Sequence, residues 1–237
     1  FLGATLYFTA NDGTGGVELW RSLPPWTAAT TSQVADINPG AANASPTLLT
    51  VVGTTLFFVA EDGANGRELW KSDGTAPGTA LVLDINPGSA TSSPSALAGG
   101  STHLFFAATD GVNGREFWKS DGTAAGTIMV ADINPGTASS SPASILVDGV
   151  QVFFSASDGA AGIELWRSLP PWIGATTAMA RDMNPGLPDG MPPSLARVSD
   201  PLLYAASHNT RILYSATDGA SGSELWEIGR ASCRERA

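Results

Sequence analysis

The sequence is poor in cysteine, histidine and positive charge. Of its 237 residues one is cysteine, Cys233, and two are histidine, His103 and His208. A single thiol closes no internal disulfide and supplies no Cys/His zinc spacing, so the chain needs neither redox chemistry nor a structural metal of that kind. Charged residues make up 14%, with 12 Lys and Arg against 22 Asp and Glu, a net charge of -10. Nucleic acid rewards clustered cations, so it is not an expected partner. No apolar run approaches the roughly 20 residues of a membrane helix, and membrane insertion is not expected. No 3.6-residue apolar period survives for three turns, which leaves little room for helix. A Gly-x-Ser-x-Gly elbow and a phosphate-cradling P-loop are both missing.

What the chain has instead is glycine, 27 residues, and proline, 16, gathered in turn clusters at regular intervals. The stretch Leu56 to Thr79 sets the pattern: an apolar run, an Asp-Gly turn, a strand ending in Trp70, and a second Asp-Gly turn. The order returns around Trp20, Trp118, Trp166 and Trp226, with successive spacings of 50, 48, 48 and 60 residues. A period of that size is the mark of stacked or ring-forming supersecondary repeats.

Each repeat reads as four short strands. In the second, these are Thr55 to Ala60, Arg67 to Ser72, Thr79 to Ile85, and a strand beginning at Ser95 to Gly99. Asp62-Gly63 and Asp73-Gly74 suit turns because Gly takes positive φ and Asp bonds its own backbone. Asn86-Pro87-Gly88 fits a type II turn. Runs such as Leu104 to Ala108 and Val152 to Ala156 have no polar face, as in sheets covered on both sides. The expected fold is therefore all-β, a β-propeller of four-stranded blades of about 48 residues. Four blades are complete and half of a fifth is present. A solenoid would also cover both faces, with shorter rungs. The repeats fall near 4–52, 53–100, 101–149, 150–208 and 209–227, forming one domain over 1–227. Trp20, Trp70, Trp118, Trp166 and Trp226 are expected as wedges between blades. Each buries area worth about 4–6 kcal/mol as an upper bound. The alternative for these aromatics is a ligand platform.

The run Glu68 to Thr79, followed by Asp84-Ile85-Asn86-Pro87-Gly88, resembles the ELWxxDGT repeat family of large bacterial surface and secreted proteins. Glu116 to Thr127 matches it with Phe117 in place of Leu. Glu18-Leu19-Trp20 and Glu164-Leu165-Trp166 keep the start and then depart, and Glu224-Leu225-Trp226 keeps only the start. The resemblance implies a propeller-like, extracellular or cell-surface, non-catalytic repeat domain without a cofactor.

The departures carry the candidate binding residues. The first repeat has Leu23-Pro24-Pro25-Trp26 and the fourth Leu169-Pro170-Pro171-Trp172 where the others have Asp-Gly-Thr. Both insertions lengthen the path from the repeat Trp to the Asp of the Asp-x-Asn-Pro-Gly turn from 14 to 16 residues. Loops on a rigid scaffold are where binding residues usually lie. Trp26 and Trp172, on loops stiffened by Pro25 and Pro171, are candidate anchors for a glycan or protein ligand. The alternative is that each folds down to cover a blade edge. His208 belongs to a further insertion before the fifth repeat and joins the candidates as a loop residue. Asp12, Asp62, Asp110, Asp158 and Asp218 each precede a Glu by six residues. These five pairs are weak calcium candidates beside the reading that each Asp simply starts a turn.

Residues 228–237 match no repeat and have the look of translated adapter sequence, so they are expected to be non-native. A half-made blade would leave strand edges unpaired, and self-association through them is expected. The functional expectation is a non-catalytic binding or adhesion module. The alternatives are a purely structural scaffold and a propeller hydrolase using Asp or Glu on one face.

Overall fold

The computed structural model describes residues 1–182, 195–199, 210–217, 223–228 and 233–235. The described residues are all-β apart from two turns of 3-10 helix, Ala28–Thr30 and Gly174–Thr176. The first sheet holds β1 (Leu6–Asn11), β2 (Val17–Ser22) and β3 (Thr31–Ala35), in that order. The second holds β4 (Thr47–Val52), β5 (Thr55–Glu61), β6 (Arg67–Ser72) and β7 (Ala80–Leu83). The third holds β8 (Ser95–Gly99), β9 (Leu104–Thr109), β10 (Arg115–Ser120) and β11 (Ile128–Ala131). The fourth holds β12 (Ala143–Asp148), β13 (Gln151–Ser157), β14 (Ile163–Ser168) and β15 (Thr177–Arg181). The fifth holds β16 (Leu195–Ser199), β17 (Thr210–Thr217), β18 (Ser223–Ile228) and β19 (Cys233–Glu235). Two compact units divide the chain: Phe1–Gly114 with Trp118–Ile128, and Arg115–Phe117 with Met129–Ala237.

Each of the first four sheets is built on a hairpin whose register follows from its Asp-Gly turn. In β5 and β6, Phe58 faces Trp70 and Ala60 faces Glu68. The same pairs recur as Phe8 with Trp20 and Phe154 with Trp166. The apolar runs are covered on both faces as expected: Leu56 through Ala60 and Leu104 through Ala108 are all buried. Gly66 closes the β5–β6 turn at φ +65°, where a Cβ would stand 2.4 Å from the Ala90 carbonyl oxygen. Only glycine fits that approach.

The phase of the repeats differs from the sequence reading. Ser95–Gly99, expected to close the second repeat, pairs with Leu104–Thr109 and opens the third sheet. Ser-Pro links thus supply the first strand of the sheet that follows them. In the first sheet this strand survives only as a bridge between Leu2 and Thr5. A second correction concerns the tail. Cys233–Glu235, excluded from the expected fold, pairs with Ser223–Ile228, and with Leu195–Ser199 on the other side the fifth sheet has four strands instead of two. Backbone pairing needs only an extended segment with free N–H and C=O groups, and a segment without repeat character meets that need.

The recurrent indoles pack inside. Trp70 is 8% exposed and Trp118 is 7%, while Trp20 and Trp166 are half-buried. Trp226 lies in β18, and its side chain falls outside the described residues. Phe106 stacks on Trp118 with centroids 6.4 Å apart. Phe117 stacks on Phe154 at 4.2 Å. The Trp166 indole N–H donates to the Ala156 carbonyl at 3.0 Å. Those of Trp20, Trp70 and Trp118 are shielded and have no acceptor among the described residues. Packing therefore holds these rings in place at the expense of a polar contact.

Candidate binding site

The Asp of each Asp-Gly turn is a turn-former. Asp12 Oδ1 accepts the backbone N–H groups of Thr14 and Gly15 at 2.8 and 2.9 Å. Asp62 and Asp110 repeat this with Ala64/Asn65 and Val112/Asn113, and Asp158 with Ala160/Ala161. The donated N–H of Gly15 is the chief reason that Asp12 ionises more readily than usual. At Asp62 burial opposes ionisation, and the donors from Asn65 and Ala64 outweigh it. Asp218 lies outside the described residues.

The partner Glu, read as half of a calcium pair, turns elsewhere. Glu18, Glu68, Glu116 and Glu164 are fully buried. Glu68 accepts from Ile85 N at 3.1 Å, from Ser92 N at 2.7 Å and from the Ser92 hydroxyl. Glu116 accepts from Ile133 N, Ser140 N and Ser140 Oγ at 2.8, 2.8 and 2.6 Å. Glu18 takes Ile37, Asn38 and Ala44 in the same way. Each carboxylate ties the central strand to the Asn-Pro-Gly turn and to the Ser-Pro link. Burial raises the pKa of all three against these donors. Among the described residues no three His, Cys, Asp or Glu side chains form a metal-binding group.

Repeated hydroxyl clips close the variable loops. Gly74 N–H donates to Ser72 Oγ at 2.9 Å, and Ser72 Oγ lies 2.8 Å from Thr79 Oγ1. Thr79 Oγ1 donates to the Thr75 carbonyl at 2.8 Å. Because the one hydroxyl proton of Thr79 goes to Thr75, Thr79 must accept and Ser72 is the donor between them. Ser120 and Thr127 repeat the relay at 2.7 Å. The Pro-Pro-Trp loops preserve it across the longer path: Ser22 to Thr31 and Ser168 to Thr177 are both 2.8 Å. Pro24 and Pro170 stand where Gly74 and Gly122 stand elsewhere, and Pro has no N–H to donate.

Within these loops Pro24-Pro25 and Pro170-Pro171 are cis, and Trp26 and Trp172 have φ of 55° and 54°. Each Trp N–H donates back at 2.7 Å, to the carbonyls of Leu23 and Leu169 respectively. The two indoles differ in setting. Trp26 is 55% exposed, and its ring meets that of Phe1 edge-on at 6.5 Å. Trp172 is half-buried, and its indole N–H donates to the Val150 carbonyl at 3.1 Å. Trp172 thus braces the β12–β13 turn, while Trp26 presents its ring to solvent. His208 lies outside the described residues. His103 sits half-buried against Phe105, with Nδ1 2.9 Å from the Thr102 hydroxyl. Burial lowers its pKa.

Basic residues after the repeat Trp join neighbouring sheets, a role that spacing alone did not reveal. Arg21 Nη1 donates to the Gly74 carbonyl at 2.6 Å, and Lys71 Nζ to that of Gly122 at 2.7 Å. The Gly74 turn is also where the Tyr7 hydroxyl comes to rest, 2.1 Å from where a Cβ would stand. Beside the second sheet's loop opens a cavity of about 390 Å³, lined by Thr55, Lys71, Ser72, Asp73, Pro77, Gly78 and Ala80.

No family model matches the chain, and no curated protein matches it. Solved structures do. A puromycin hydrolase superposes with a TM-score of 0.55 at 13% identity, over 90% of this chain and 32% of that one. A prolyl endopeptidase gives 0.55 at 10% identity, over 98% and 33%. Oligopeptidase B from Leishmania major gives 0.55 at 13%, over 98% and 32%. The likeness is one of fold: a β-propeller. This chain spans about a third of the length of those hydrolases.

Proposed function

We propose that the chain is a β-propeller segment of the ELWxxDGT type, acting outside the cell as a non-catalytic binding module that recognises glycan. Its sheets serve as blades of about 48 residues, the first of them short of one strand. The observation that carries this reading is Trp26, a large apolar ring held 55% exposed on a closed loop. A ring fixed by its own loop stacks on a sugar face at little entropic cost. The buried Glu18, Glu68 and Glu116 and the turn-forming Asp12, Asp62, Asp110 and Asp158 support the non-catalytic part, because each of these carboxylates has a structural task. Hydrolysis is named for the proteins that share the fold, and it remains theirs.

Glycan-array binding by the intact chain tests the proposal. Binding that is lost on Trp26→Ala supports it. Silence across glycans, or binding indifferent to Trp26, rejects it, and capture of a protein ligand instead would replace glycan with protein. Cleavage of a peptide or glycoside abolished by one Asp or Glu substitution would overturn the non-catalytic part.

The second reading is a structural spacer. It draws on Trp172, whose bond to Val150 makes it a brace.

A further inference from the structure

We infer that the second sheet carries a binding cavity for a single saccharide ring, between the start of β5 and the loop that follows β6. This site is separate from the Pro-Pro-Trp loops. Its case rests on what the other repeats place at the same position and on which polar groups remain uncommitted.

The four hairpins align by register. Thr55 pairs with Val52, as Gln151 pairs with Asp148 and Thr5 bridges to Leu2. In the fourth repeat the Trp172 indole reaches the Val150 carbonyl, next to Gln151. In the first, Trp26 lies against Phe1, the residue just before the equivalent turn. The third repeat has the short loop but substitutes His103 for Thr55 and Ile128 for Ala80, and His103 lies half-buried against Phe105. The second repeat has the short loop together with small residues at both positions, and there the space of about 390 Å³ stays open. That volume falls at the lower end of small-ligand sites, roughly 300–1,000 Å³, which suits one ring better than an extended chain.

The lining can bond a polyhydroxylated ring. Lys71 Nζ gives one N–H to Gly122, and an ammonium has three. Asp73 Oδ1 takes the backbone N–H and hydroxyl of Thr75, and Oδ2 accepts no hydrogen bond from the described residues, although the Arg21 charge acts on the carboxylate. The Thr55 hydroxyl likewise has no hydrogen-bond partner among the described residues. Hydroxyls that donate to Asp73 and accept from Lys71 fit this set, while Pro77 and Ala80 offer an apolar floor for the C–H face. An aromatic side chain from a protein would cover the floor but make no bond to the remaining Lys71 N–H groups or to Asp73 Oδ2, so it uses less of this lining.

Amide NMR of the intact chain, titrated with methyl glycosides of glucose, galactose, mannose and N-acetylglucosamine, tests the site. At least one glycoside should give saturable shifts at Thr55, Gly78 and Ala80. Asp73→Asn should weaken that binding about tenfold, the loss of one hydrogen bond to a charged acceptor. Thr55→Trp, which fills the space as the longer loops do, should abolish it without lowering Tm, and Ala80→Phe serves if that variant does not fold. Trp26→Ala and Trp172→Ala should leave the shifts intact, so that this site and the loop reading stand or fall separately. No saturable shift with any glycoside, shifts confined to the Trp26 and Trp172 loops, or binding that survives a folded filled variant would overturn the inference.

Discussion

The Ser22 hydroxyl lies 2.8 Å from that of Thr31, the same separation as between Ser72 and Thr79. The first pair spans nine positions of chain and the second seven. The clip therefore fixes where each loop begins and ends, and what lies between is free to vary. A six-residue Asp-Gly-Thr loop and an eight-residue Pro-Pro-Trp loop thus leave from and return to equivalent strands of their own sheets, β6 and β7 in one and β2 and β3 in the other.

The clip should be measurable as a coupling. Ser72→Ala and Thr79→Val are each expected to lower stability by about 1 kcal/mol, with a coupling of about 0.5–1.5 kcal/mol between them. Thr79→Ser, which keeps the hydroxyl, should lose much less. Urea melts of the two single variants and the double variant read this directly. Strict additivity would remove the clip from the account.

Close approach at Gly66 sets a second expectation. Gly66→Ala places a Cβ against the Ala90 carbonyl at positive φ, so strand and link must move apart. Gly88 has φ +87° but open space around it. Gly88→Ala should cost about 1–2 kcal/mol for the backbone alone, and Gly66→Ala clearly more. Equal shifts in Tm would show that contact at Gly66 is unimportant.

Indole burial gives the third. Trp118→Ala should cost about 3–5 kcal/mol, whereas Trp26→Ala should stay within about 0.5 kcal/mol. A thermal melt of each variant decides. If Trp26→Ala destabilises as much as Trp118→Ala, the first loop is part of the core and its ring is no anchor.

The carboxylates give opposite signs of pH dependence. Burial raises Glu18, Glu68 and Glu116, so the stability linked to them is full below the ordinary Glu range and falls as pH rises through their folded values. Hydrogen bonding lowers Asp12, Asp73 and Asp121, whose contribution is full above the ordinary Asp range and lost as pH falls. Stability should therefore peak at about pH 4–5, between these trends. Tm measured from pH 3 to 8 checks it, and a Tm that rises steadily through pH 7 contradicts the Glu part. Glu68→Gln should reduce the neutral-side slope, yet lower overall stability by about 1–3 kcal/mol because an amide N–H would face backbone donors.

Hairpins were the legible part of the chain. Alternation around Leu69 and Trp70, and Asp-Gly between strands, are local signals, and Arg67–Ser72 falls where they place it. Partnership of the link strand was not legible. Ser95–Gly99 is equally extended whether it joins the preceding sheet or the next, and only its bonds to β9 decide. The fate of Glu68 was hidden for a related reason, since its donors Ile85 and Ser92 lie 17 and 24 residues downstream. Asp62 was readable as a turn residue because its donors are two and three residues away. The difference between Trp26 and Trp172 was also out of reach. Both follow Pro-Pro, but only Trp172 finds a carbonyl acceptor, at the Val150 turn.

Because every Ser-Pro link is donated forward, the stretch that recurs in the sequence and the sheet that folds are out of step by one strand. Duplicating or deleting one recurrence at the DNA level therefore never yields a self-contained sheet. Each added copy hands its last strand to its successor and borrows one from its predecessor, so newcomers are threaded into the series covalently and the array can change length without inventing a new joint.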